Sequence, residues 1–202
     1  METMLFRTFK LGPKNQKLDS PGQVNGPAYH TLIESDLPLA DLLNKNSIEI
    51  YPEEMAMASE IFHYPNEGKI ERSFELFEFP KRADYGRDGV DEYFVRDRLN
   101  FFGYRPATFV ELLCFGGQLR TMLSDQWFES KNIIGLGSVA TTAEEIKKGG
   151  WFSKAITGTY RHYPEFQCVA GRTFDQIRLS TTEQDKHGNW PNEVLFLATD
   201  LL

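Results

Sequence analysis

Cysteine is scarce in this chain of 202 residues: Cys114 and Cys168 are the whole complement. Each sits in an apolar stretch and no CxxC pair occurs, so neither a disulfide framework nor a thiolate metal site is expected. Cysteine of this kind serves as a small buried hydrophobe. Asn-x-Ser/Thr acceptors are absent too, and no apolar run approaches the length of a membrane span. Residues 1–7 lack the apolar core that a secretory signal needs. A reducing cytoplasm is therefore the expected compartment, with no membrane contact. Positive charge is in deficit: 22 Lys and Arg against 29 Asp and Glu give a net charge of -7 and a pI near 5.2. That balance favours solubility and disfavours direct binding of nucleic acid. His30, His63, His162 and His187 are scattered, without HExxH or another metal spacing. Neither GxxxxGK[ST] nor a GxSxG order around Ser138 is present. No cofactor and no metal site is expected, and no catalytic residue declares itself.

Aromatic side chains, by contrast, are plentiful at 13%, sixteen of them Phe. With 41% hydrophobic and 25% charged residues, the chain has the bulk for a real core. The best-marked element begins at Tyr104-Arg105-Pro106-Ala107-Thr108. Pro106 pushes the residue before it towards an extended conformation. Thr108 and Glu111 then have the spacing of a capping box, so a helix is expected from 108, apolar through Phe115 and closed by Gly116-Gly117.

Around it, 5–11 reads as a strand containing Lys10, and 12–27 as a loop carrying Lys14 and Lys17. A short helix is expected over 36–44, with Asp36 near its cap and Pro38 in its first turn. Pro65-Asn66-Glu67-Gly68 is turn chemistry, so 61–79 reads as a hairpin, although Pro52-Glu53-Glu54 would also open a helix. The apolar phase of the second arm changes between Leu76 and Phe77, the mark of a bulge or of a strand covered on both faces. A helix is expected over 90–102, with Asp88, Asp91 and Glu92 at its start and Gly103 at its end.

Residues 132–139, 155–163, 166–170, 174–181 and 194–199 read as strands, with a turn over 186–189. A compact polar helix is expected between Thr142 and Lys148, where capping-box spacing recurs. The fold class is α+β: a mostly antiparallel sheet with helices packed on one face. It is expected as a single compact unit over 1–202, and a subdivision into 1–103 and 104–202 would fall near Gly103.

Gly135-Leu136-Gly137-Ser138-Val139-Ala140 fits the dinucleotide fingerprint GxGxxA, but the helix expected after it is short and polar. No acid follows about twenty positions on. The better reading is close backbone packing at the glycines. Asp84, Asp88 and Gly89 fit part of a calcium loop, but Gly86 offers no side chain and Val95 stands where a bidentate Glu is needed. Arg161-His162-Tyr163 is the densest cluster of functional side chains; alternation puts Arg161 and Tyr163 on one face and His162 on the other. Trp127, Trp151 and Trp190 sit near element boundaries, as aromatics covering the edge of a core do. Residues 53–97 hold twelve acids and six bases, a candidate docking surface for a protein partner.

Gly103-Tyr104-Arg105-Pro106-Ala107-Thr108, Glu111-Leu112-Leu113, Leu136-Gly137-Ser138 and Phe196-Leu197-Ala198 carry a resemblance. From Phe101 onward the chain resembles short uncharacterised bacterial proteins. That resemblance implies no activity and transfers no catalytic residue. The expectation is an accessory or interaction protein with an acidic surface. The alternative is a small hydrolase-like enzyme whose polar side chains, Asp84, Asp88, Arg161 or His162 among them, converge only in the fold. Oligomeric state is left open.

Overall fold

The phase change at Leu76–Phe77 is the key to the architecture of the computed structural model. The structure describes residues 23–24, 28–61, 68–79, 90–122, 132–146, 156–166, 176–180, 189–190 and 194–201. Strand β4 (Lys69–Glu78) belongs to the main sheet, one strand in from the end of its path. Phe74 and Leu76 enter one apolar cluster, while Phe77 and the following Phe79 enter a second. The strand is covered on both faces, and its phase shift records this.

Strands β1 (Gln23–Val24) and β2 (Tyr29–Glu34) both pair antiparallel with β4. On its other side β4 pairs antiparallel with β12 (Val194–Asp200), whose near-continuous apolar run fits a central strand. Strand β12 pairs antiparallel with β6 (Tyr104–Pro106) and parallel with β7 (Asn132–Ile134). Beyond β7 lies β9 (Ile156–Phe166), which also pairs antiparallel with β8 (Ala140–Ile146) and β10 (Gln176–Ser180). Strand β3 (Glu49–Ile50) adds a parallel pair to β10. A two-stranded ladder joins β5 (Val90–Asp91) to β11 (Asn189–Trp190). The main sheet is mixed and mostly antiparallel, and the class is α+β.

Helices α1 (Leu39–Asn46), α2 (Met55–Ile61) and α4 (Phe109–Met122) contribute to the first cluster, with Leu195, Leu197 and Phe166 from the sheet. Helix α3 (Glu92–Phe101) supplies Val95 and Leu99 to the second. That cluster is aromatic: Phe79 meets Phe94 and Phe196, Phe77 meets Tyr104, and Trp190 meets Tyr163 and Phe196, edge to face at centroid separations of 5.0–5.9 Å. Each such pair adds about 1 kcal/mol to the area it buries.

Several local expectations change. Ile61 is the last residue of helix α2, which a 3-10 turn at Pro52–Glu54 opens, as Pro52-Glu53-Glu54 allowed; the rest of the first arm expected for the hairpin lies outside the described residues. The polar helix expected from Thr142 is strand β8, because seven ladder pairs with β9 outweigh one local capping signal. Helix α4 does not stop at Gly116-Gly117 but continues to Met122. A Cβ on Gly116 would overlap the Phe166 ring, and one on Gly117 would overlap the Asn46 side chain. Those glycines serve close packing, not termination. Helix α1 starts later than expected, with Pro38 rather than Asp36 at its N-cap. The segments 5–11, 62–67, 80–89 and 181–188 lie outside the described residues.

Candidate functional site

Among the described residues, polar side chains gather at the first turn of α3, at the start of α4 and beside β2. The first gathering centres on Glu92. Asp91 caps α3 by accepting a 2.7 Å bond from the Phe94 amide, and an acid at this end suits the helix dipole. Glu92 is only 5% exposed, so its charge needs partners. Arg96 Nε donates to Oε1 at 2.6 Å, one helical turn on. Arg161 Nη1 donates to Oε2 at 2.6 Å, and the Tyr163 hydroxyl donates to the same oxygen. Arg96 also donates to the Leu136 carbonyl, tying α3 to the turn after β7. Burial first, and then the bond to Glu92, push the Tyr163 hydroxyl above its ordinary range; it stays a neutral donor. Strand alternation brings Arg161 and Tyr163 together as expected and sends His162, also buried, to the other face.

The second gathering is the capping box. The Thr108 amide donates to Glu111 Oε2 at 2.8 Å, and the Glu111 amide reaches the Thr108 hydroxyl at 3.4 Å. Arg105 holds both carboxylate oxygens of the fully buried Glu111, at 2.9 and 2.6 Å. The Ser138 hydroxyl accepts from the Phe109 amide at 2.9 Å, the Gly137 amide donates to the Ala107 carbonyl at 2.8 Å, and the Ala107 amide donates to the Leu197 carbonyl at 2.9 Å. The separate stretches that carried the resemblance thus meet at one junction. A Cβ on Gly137 would lie 2.6 Å from the Ala107 carbonyl oxygen, so the GxGxxA glycines permit close backbone packing. The segment after them is strand β8, not the helix that the fingerprint requires.

The third is an open cleft of about 290 Å³ between β2, α1 and α4, bordered by His30, Glu34, Lys45, Asn46, Cys114 and Gln118. Glu34 is held by Lys69 at 2.7 Å and by Lys45 on its other oxygen. Gln118 accepts from the Thr31 hydroxyl and donates to the His30 carbonyl at 2.8 Å. Burial pushes the Cys114 thiol up to about 12, Lys45 opposing and Glu111 reinforcing the shift. The thiol is therefore protonated at physiological pH and is a poor nucleophile.

Arg161 and His162 do not border this cleft. Asp84, Asp88, Lys10, Lys14, Lys17, Trp127 and Trp151 lie outside the described residues, while Trp190 is buried in the second core cluster. Among the described residues no three His, Cys, Asp or Glu side chains gather as metal ligands, and no helix is long and apolar enough to cross a membrane. Sequence reasoning took Glu92 for a helix-end acid and missed its role as a hub; the Glu92–Arg96 spacing was the available signal. Nothing local marked Glu34, Lys45 or Gln118. No family model matches the chain, and neither the curated proteins nor the solved structures yield a match.

Proposed function

We propose that this protein is a non-enzymatic accessory protein that docks a basic partner through the acidic segment between 36 and 60. The placement of charge carries this reading. Asp36, Asp41, Glu49, Glu53 and Glu60 are exposed and Glu54 is half-buried, while Lys45 is the sole cation of the segment. Lys45 is itself engaged by Glu34, so it does little to relieve the surrounding negative charge. Met55, 37% exposed, adds an apolar contact at the start of α2. In the longer acidic stretch, Glu75 and Glu92 turn inward, which moves the docking surface towards α1 and α2.

The buried acids support the same reading. Glu92 and Glu111 each satisfy several donors of their own chain and tie elements together. The enzymatic alternative is disfavoured at the cleft beside β2, where the thiol stays protonated and two lysines hold the carboxylate. Kinship with the short bacterial proteins that the Gly103–Thr108 motif resembles belongs to this proposal and brings no activity with it.

Capture from native extract tests the reading. Immobilised wild-type protein is expected to retain a basic protein that salt elutes, and a variant carrying Asp41→Asn, Glu53→Gln and Glu60→Gln is expected to lose it. Equal retention by the two would end the proposal.

A further inference from the structure

We propose that Arg161, held in place by Glu92 and Tyr163, is the receptor for the carboxylate group of a small monoanionic ligand. Three observations lead there. First, the guanidinium is pinned. Nη1 donates to Glu92 at 2.6 Å, and the carbon at its centre lies 5.7 Å from the centroid of the Tyr163 ring. Second, the pinning uses one nitrogen and leaves the others. Nε and Nη2, the edge whose two parallel N–H groups match the two oxygens of a carboxylate, make no hydrogen bond among the described residues. The side chain is 42% exposed, so the guanidinium is in part open to solutes.

Third, the charge on Arg161 is only partly met. Arg96 and Arg161 share the Glu92 carboxylate, so among the described residues neither guanidinium has that acid to itself. A carboxylate ligand on the open edge supplies Arg161 with a counter-charge of its own. A dianion would overshoot and place its second charge towards Glu92. Because the fork is already oriented, binding does not have to freeze a free arginine, which lowers the entropic cost. This site is independent of the acidic docking segment and stands or falls separately from it.

The test is an NMR titration of the arginine Nε–H resonances of the full chain with sodium acetate. Sodium chloride keeps the ionic strength constant. The Arg161 resonance is expected to shift saturably, and inorganic phosphate above its second pKa, where it is a dianion, is expected to act more weakly. Arg161→Lys keeps the charge and a bond to Glu92 but removes the fork; acetate binding followed at neighbouring amides is expected to weaken about tenfold. A linear, chloride-like response of the wild-type resonance would overturn the proposal, whether or not the variant folds. Tighter saturation by phosphate than by acetate would overturn it as well, as would undiminished acetate binding by a folded lysine variant.

Discussion

Glu111 shows how one buried carboxylate does two jobs, closing the first turn of α4 and anchoring Arg105. Removing each job separately gives different costs. Thr108→Ala removes one side of the capping box and is expected to cost about 1 kcal/mol. Glu111→Ala removes both carboxylate bonds of Arg105 and uncaps the Thr108 amide together, and about 3 kcal/mol is expected. Arg105 is partly exposed and recovers some hydration, so the loss sits at the low end for a buried pair. Denaturant unfolding of both variants checks the difference. The thiol of Cys114 makes a pH prediction. Its folded pKa is raised from 9.0 to about 12. As pH rises past 9.0 the unfolded chain gives up this proton first, so the thiol's contribution is complete below that pH. It is then lost towards 12, at up to about 1.4 kcal/mol per pH unit. Cys114→Val lacks that part of the slope. Unfolding curves of the two proteins over this range should diverge, and parallel curves would contradict the assignment.

At the scale of elements, capping chemistry was legible and packing was not. Pro106, Thr108 and Glu111 announce α4 because every contact they make lies within a few residues. The same spacing at Thr142 misled, because strand β8 is decided by its ladder with β9, whose partners lie 10 to 22 residues away. Gly116-Gly117 looked like a stop for an equally simple reason: the Phe166 ring that requires a missing side chain is fifty positions distant. Gly116→Ala gains about 1 kcal/mol of helix propensity but forces the fully buried Phe166 aside, an overpacking cost of about 2–3 kcal/mol. A net loss of stability is expected. Phe166→Leu should cost less in the Gly116→Ala background than in wild type, and a double-mutant cycle measures that coupling.

For the molecule as a whole, composition gave the acidic balance, but only the fold sorts acids by exposure. Glu34, Glu75, Glu92 and Glu111 are inside, while Asp36, Asp41, Glu53 and Glu60 are outside. Arg161 and Tyr163 were visible as a pair because strand alternation is local. Their meeting with Glu92 was not, since it depends on how α3 lies across β9. The docking claim reduces to unscreened negative charge between 36 and 60, and ionic strength is the lever that reaches it. Affinity for the captured basic partner, followed from about 0.05 M to about 0.5 M salt, should fall steeply for wild type as the screening length shrinks from about 14 Å to about 4 Å. The Asp41→Asn, Glu53→Gln, Glu60→Gln variant should start weaker and fall less. Identical salt profiles for the two proteins would contradict the account.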